Sequence, residues 1–435
     1  VAELFGTFSY ELEPATADNK DSRLILLYGD NGSGKTTLLK LLFHMLSVQD
    51  SRGHRSYIAQ TQFQEFEIRF TDGGTFSARR GKCDTGPYDL VAVFSNGDIE
   101  SVSVKVSDDG SVKTGDLDDN RLSNIFKRLK RNRVTPYFLS DSRTLESDAF
   151  RYTERRRTLI DDDVIVDASA YERFFTLGKT QSQRNVVSAE ASVERAEEWM
   201  RRKAIQASNT GENNTSEIYK NILSGLSHSG GDSSDDYENR LKRITQLVND
   251  AGEFSESFVN LGLASPVPVE PILNALRHAD PNRLSIVVQV LEPYVDSLLA
   301  KMNALDELQR LLTSFAKSLD KFLGHQKKIR VSVPEGIRIY DRRGDRLSAR
   351  MLSSGEKQLL VLFCNLMVAT DRESLFIVDE PEISLNIKWQ RSILDALMQI
   401  AANGNVQFVM ATHSFEILAN YKESIARLDN QMRFD

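Results

Sequence analysis

Eight consecutive residues near the start of the chain, Gly29-Asp30-Asn31-Gly32-Ser33-Gly34-Lys35-Thr36, have the spacing of a P-loop. Glycines let backbone N–H groups converge on phosphate oxygens, helped by the positive end of the helix that follows. Lys35 is expected to reach the β- and γ-phosphates of ATP, and Thr36 to hold Mg²⁺ through its hydroxyl. Asp30, Asn31, Ser33 and Thr37 complete the expected nucleotide contacts. The second chemical element is Ser374-Leu375-Phe376-Ile377-Val378-Asp379-Glu380, an apolar run ending in two carboxylates. Such a run predicts a buried strand that delivers charge at its C-terminal edge. Asp379 is expected at the Mg²⁺ hydration shell, and Glu380 is expected to polarise the attacking water.

Three shorter segments complete the pattern. Leu352-Ser353-Ser354-Gly355-Glu356-Lys357-Gln358 precedes the apolar helix Leu359–Met367. A Ser-Gly pair opening a helix can stabilise a γ-phosphate through Ser354, the Gly355 amide and the helix dipole, with Ser353 and Glu356 grouped among the expected nucleotide-binding residues. Viewed alone, the same residues read equally well as a helix cap. Ser384-Leu385-Asn386 follows the Asp-Glu strand, and Asn386 is a candidate nucleotide contact. Phe408-Val409-Met410-Ala411-Thr412-His413-Ser414 reads as another buried strand ending in a histidine, His413, expected to contact the γ-phosphate and steady the water. The other histidines, His44, His54, His228, His278 and His325, read as structural. These motifs resemble those of ABC-type enzymes, which implies a glutamine that senses the γ-phosphate: Gln60, Gln62 and the turn Ser140–Arg143 are candidates, the turn foremost.

Positioning these residues requires strands and helices in a definite order. Leu24–Tyr28 is a short apolar run before the glycine-rich turn, and Thr36–Leu46 reads as a helix. Phe63–Phe70 and Thr75–Ala78 flank Asp72-Gly73-Gly74, and Ala92–Ser95 and Ile99–Val106 flank Asn96-Gly97, which predicts antiparallel hairpins. Tyr137–Leu139 is a buried strand. From about residue 170 to 325 the chain turns helical and charge-rich, interrupted by expected loops at Ser208–Ser216 and Ser224–Asp236. Over Pro293–Leu323, Leu298, Met302, Leu305, Leu308, Leu312, Phe315, Leu319 and Phe322 recur at steps of three and four. That stripe must bury against another helix, inside its own subunit by preference over a dimeric coiled coil. Lys328–Val333 and Ile337–Tyr340 return to strand. The fold class is therefore α/β, a mixed sheet with an antiparallel layer, split by a helical insertion. The expected domains are 1–165, 166–327 and 328–435.

Composition narrows the class. With 435 residues the chain can bury a large core, and a formal charge of −7 argues against a surface that grips nucleic acid everywhere. The basic runs Lys127–Arg133 and Arg151–Arg157 leave direct nucleic-acid contact open, although a solvated helix face balanced by acids such as Asp161-Asp162-Asp163 is preferred. Cys83 and Cys364 stand in no metal-ligand spacing and read as inert thiols. No run is long and apolar enough to span a bilayer, so a soluble cytoplasmic enzyme with no membrane partner is expected.

In the order P-loop, Ser-Gly signature, Asp-Glu strand and terminal His, the motifs resemble ABC-type ATPases, over roughly residues 1–145 and 328–435. In that family the signature cannot sit over its own P-loop. The resemblance thus implies a head-to-tail pair with ATP between Lys35 of one copy and Ser354 of the other. Gly355 lies 320 positions after Lys35, unlike the transporter branch and similar to the SMC, double-strand-break-repair and OLD-type branch. Tyr137–Arg143 and Asp379-Glu380-Pro381-Glu382-Ile383-Ser384-Leu385-Asn386 with Trp389-Gln390 look most like the OLD-type group of anti-phage systems. With 22 residues after His413, no C-terminal TOPRIM nuclease domain is expected. The chain is similar to the AriA ATPases of PARIS, the favoured resemblance, and also to PtuA of Septu and to retron-associated ATPases. The favoured resemblance implies a homo-oligomer larger than a dimer, a TOPRIM nuclease effector of the AriB type acting in trans, and a phage-encoded trigger. The alternative is an SMC-like repair or chromosome-maintenance ATPase that binds DNA directly.

Overall fold

The computed structural model describes residues 1–12, 23–48, 53–107, 112–113, 116–131, 134–141, 145–147, 188–226, 234–278, 281–324, 326–383, 385–402 and 404–428. The chain divides into two compact units, residues 1–188 with 369–435, and residues 189–368. The stretch 328–368, grouped on sequence with the nucleotide-binding lobe, clusters with the helices.

In the first unit, β1 (Leu24–Tyr28) runs into the glycine-rich turn, and α1 (Lys35–Leu46) follows it. α2 (His54–Gln60) leads to an antiparallel sheet, in order β2 (Phe63–Arg69), β3 (Thr75–Asp84), β4 (Tyr88–Val93), β5 (Ile99–Val106) and β6 (Val112–Lys113). Its first hairpin turns at Gly73, whose φ of 86° a side-chain-bearing residue avoids. α3 (Asp116–Arg131) precedes β7 (Thr135–Leu139) and β8 (Leu145–Ser147).

The sheet that carries the chemistry has six strands in the order β14-β1-β13-β12-β7-β8, where β12 is Ser374–Asp379, β13 Val406–Ala411 and β14 Ile425–Arg427. All but β8 pair in parallel. Covered on both faces, the central strands read as continuous apolar runs, and every residue of β12 is buried. Register is pinned by aromatic neighbours. Phe376 stands opposite Tyr137 of β7 and Phe408 of β13, with ring centroids 4.6 and 5.9 Å away. Such pairs contribute about 0.5–1.5 kcal/mol each beyond their burial. A one-residue slip would break both and turn Asp379 to the opposite face. α1 closes one face through Leu38, Leu41, Phe43 and Met45, with Phe43 stacked on Phe138.

In the second unit, α4 (Ala189–Leu226) and α5 (Ser234–Asn260) precede α6 (Val269–His278) and the 43-residue α7 (Pro281–Leu323). Helix runs unbroken through Ser208–Ser216, where composition predicted a loop. The apolar face of α4, with Ala196, Trp199 and Met200 buried, carries the helix into a stretch that local propensity disfavours. Of the second expected loop, 227–233 lie outside the described residues, and its two ends are helical. The α7 stripe is buried from Met302 to Phe322, and α7 packs on α4 and α5 within the subunit. An antiparallel sheet of β9 (Lys327–Ser332), β10 (Gly336–Asp341) and β11 (Arg346–Leu347) leads to α8 (Ser354–Ala369). Glu197 of α4 fixes its first turn by accepting from the Ile337 N–H and Arg338. Among the described residues no helix is long and apolar enough to cross a membrane.

Candidate functional site

Parallel pairing sets the strand ends of the first unit side by side. Leu27 and Asp379 both stand opposite Ala411, and Leu139 stands opposite Val378. The residues that follow, Gly29, Ser140-Asp141, Glu380 and Thr412-His413, therefore emerge along one edge. This is where open parallel sheets place their ligands.

The loop after β1 has the backbone that its glycines permit. Gly32 and Gly34 have φ of 85° and 84°. A Cβ at Gly32 would meet nothing within 4 Å, whereas one at Gly34 would lie 2.8 Å from the buried Leu4. Ser33 N–H donates to Asp30 O, and the Tyr10 hydroxyl, buried, donates to Ser33 O at 2.8 Å. Lys35 is 7 % exposed and folds back so that Nζ donates to the carbonyls of Gly29 and Asp30, both at 2.8 Å. Burial pushes its pKa down, against the attraction of Glu380, Asp379 and Asp30. Thr37 lies one step along the first turn of α1.

Asp379 is 2 % exposed. Its pKa is raised, first by burial and then by the carboxylates of Glu380 and Asp141, against a hydrogen bond from Thr36 and the charge of Lys40. Its Oδ2 is buried without a hydrogen-bond partner. A buried carboxylate oxygen without a donor, beside a hydroxyl, is the hard oxygen pair that Mg²⁺ selects, so Thr36 and Asp379 fit the ion assigned to them. When bound there, Mg²⁺ supplies positive charge against the phosphate oxygens.

Glu380 has φ of 51°, the left-handed region that L residues rarely adopt, while its N–H continues the ladder to Ala411 O at 2.9 Å. His413 follows β13. Its N–H and that of Ser414 both donate to Glu382 Oε1, at 2.7 and 3.1 Å, and Glu382 Oε2 is buried without a partner. Ser414 caps α10 (Phe415–Leu418), and its hydroxyl donates to Gln390 Oε1. Gln390 in turn donates to Leu385 O, tying the loop after β12 to the loop after β13. Asn386 is exposed and caps α9 (Ile387–Ala401) through the Trp389 N–H; Ser384 lies outside the described residues.

In the second unit, Ser353 and Ser354 are exposed at the start of α8, and Gly355 is buried. Glu356 forms a capping box: its Oε2 accepts from Ser353 N–H at 2.7 Å, and Ser353 Oγ accepts from Glu356 N–H at 3.4 Å. Its other oxygen pairs with Lys327 Nζ at 2.5 Å. Burial opposes its charge, but the Lys327 and Ser353 hydrogen bonds prevail and hold its pKa below the usual value. Glu356, grouped on sequence with the nucleotide contacts, is thus committed to shaping the turn that presents Ser354.

Sequence reasoning gave no role to Tyr10, Glu382 or Gln390. Glu382 had a signal, the Asp-Glu-Pro-Glu run; Tyr10 had none. Of the sensor candidates, Ser140 is buried at the strand edge and Asp141 lies near Asp379, while 142–144 lie outside the described residues. Gln60 ends α2 and Gln62 precedes β2, both exposed. Arg128 is engaged by Asp98 and Glu100 and stacks over Phe94, so that part of the first basic run is paired surface; Arg151–Arg157 lie outside the described residues. His44 and His54 pack against one another in the core, and burial holds His44 well below its usual pKa. Cys364 is buried, which pushes its thiol up.

Residues 24–419 match the AAA_21 family, described as "AAA domain, putative AbiEii toxin, Type IV TA system". The chain belongs to this family. It is accordingly a P-loop ATPase, and the order of its motifs is that of the ABC type. No curated protein matches the sequence. Among solved structures, the Smc head domain of Pyrococcus furiosus with an extended coiled coil, bound to the C-terminal domain of ScpA, is 12 % identical. The alignment covers 91 % of this chain and 85 % of that one, with a TM-score of 0.34. The Smc head of Pyrococcus yayanosii with a coiled coil and joint is 13 % identical, covering 92 % and 89 %, with a TM-score of 0.33. Family membership rests on the sequence match and not on these superpositions.

Proposed function

We propose that the protein hydrolyses Mg²⁺-bound ATP at a site completed by a second copy arranged head to tail, and that it is the sensor and scaffold of a bacterial anti-phage defence system. The observation that carries the enzymatic reading is the unpartnered, buried Asp379 Oδ2 beside Thr36 and next to the left-handed Glu380. Lys35 exchanges its two loop carbonyls for phosphate oxygens. Glu380 orients the water for in-line attack, and His413, with its backbone N–H held by Glu382, steadies the γ-phosphate. The turn Ser353-Ser354-Gly355 of the second copy supplies the opposing hydroxyl and amide. Two exposed apolar residues beside the strand-edge loops of the first unit, Phe415 at 74 % and Ile387 at 59 %, support docking there, and in the second unit Met351, at 66 %, is exposed beside the signature turn.

The biological role rests on the resemblance of the Asp379–Asn386 run to OLD-type defence ATPases. The family description, which names a toxin of a type IV TA system, supports a chain that works with a second component. In this reading copies assemble beyond a dimer in the cytoplasm and hold a TOPRIM nuclease inactive in trans until a phage-encoded protein triggers release. Replacing Glu380 with Gln should leave ATP binding intact and slow hydrolysis by roughly 10²–10⁴-fold; turnover at the parental rate removes Glu380 from the chemistry. Purification from the native host should bring down a TOPRIM nuclease, whereas a repair nuclease in its place points to the DNA-repair alternative.

A further inference from the structure

A concavity of about 470 Å³ lies in the second unit, at the end of α7 and along β9 and β10. Its lining includes Lys327, Lys328, Arg330, Arg342 and Arg343 around Tyr340. In a chain of net charge −7, residues 327–350 carry eight basic side chains against three acidic ones. The acid in the lining, Asp341, is spent on its own turn, where Oδ1 accepts from the N–H groups of Arg343 and Asp345 at 2.8 and 2.9 Å. Lys328, Arg330 and Arg343 are exposed and make no ion pair among the described residues. Arg330 lies over the Tyr340 ring, 5.5 Å from its centroid, and the like charges gathered from two strands and one turn repel one another. Guanidinium groups match phosphate oxygens in pairs, and Tyr340 places a ring among them. The volume suits a compact ligand.

One member of the cluster reaches further. Lys327 both lines the concavity and pairs with Glu356, whose other oxygen holds the Ser353 N–H. An anion that draws Lys327 toward itself weakens the capping box that shapes the signature turn.

We propose that this concavity is a second anion site, distinct from the P-loop, that takes a compact polyphosphate, and that its occupancy loosens the Ser353–Glu356 turn through Lys327. The regulatory consequence rests on the head-to-tail reading; the binding and the loosening do not, and both are measurable without turnover. The probe is inorganic tripolyphosphate, titrated by calorimetry into full-length Lys35→Ala protein, where the P-loop is silenced. One site per chain is expected to remain. The double variant Arg330→Glu, Arg343→Glu on the same background should weaken it by roughly a hundredfold, as expected for two lost charge-assisted pairs. Both side chains are exposed, and an unchanged circular dichroism melt verifies the fold. Hydrogen exchange at the Ser353 amide should quicken by roughly tenfold on saturation, and Lys327→Met should show that faster exchange without the anion. Absence of binding to Lys35→Ala protein, or binding undiminished in the double variant, overturns the site. Binding of a single-stranded oligonucleotide but not of tripolyphosphate overturns it in favour of a nucleic-acid surface. Binding with unchanged Ser353 exchange overturns the coupling.

Discussion

Glu380 holds a backbone conformation that costs a residue with a side chain about 1–2 kcal/mol, and the strain falls on the group assigned to orient water. Glycine adopts that conformation freely. Glu380→Gly should therefore stabilise the ligand-free protein by about 1 kcal/mol while stopping hydrolysis; a lower melting temperature would show that the turn is not strained. Asp379 makes a related case through pH. Its folded pKa is raised, so the unfolded chain releases the proton first, and stability is lost as pH rises through the folded value. Asp379→Asn removes this loss. At neutral pH it should melt roughly 2–4 °C above the parent without nucleotide, and the difference should shrink as pH falls below the usual carboxylate range. A difference independent of pH would show that Asp379 ionisation has no part in it. At this scale the sequence reveals residues that sit within short motifs, since local spacing alone places Lys35, Thr36, Asp379 and Glu380. It hides Tyr10, which reaches Ser33 O across 23 positions, because a tyrosine acquires that role only when the chain folds back.

At the scale of elements, two glycines of one loop separate backbone from packing. Both need positive φ, but only Gly34 lies against Leu4. Gly32→Ala should cost about 1–2 kcal/mol, and Gly34→Ala more, about 2–4 kcal/mol. Equal losses by chemical denaturation would contradict the close approach. Strand β12 and the turn before α1 were legible because apolar runs bounded by glycine or acids leave little choice. Ser208–Ser216 misled because Gly, Ser, Asn and Asp favour loops locally, whereas α4 continues by packing on α7, which no window of that length contains. The turn before α8 was legible as a helix start. That Glu356 is claimed by Lys327, 29 positions earlier, was not.

At the scale of the whole molecule, the P-loop and the Ser-Gly turn belong to different compact units of one chain. If the turn of one copy completes the site of another, turnover must depend on association. The specific rate should then rise with protein concentration and level off once the chain is paired. The most direct measurement mixes two inactive variants, Lys35→Ala and Ser354→Trp. In a head-to-tail pair of one of each, one site has both defects and the other has none. An equal mixture should then recover about a quarter of parental ATP turnover, since about half the pairs are mixed and each has one intact site. A mixture as inactive as either variant alone, with Ser354→Trp inactive at every concentration, would contradict a site shared between two copies.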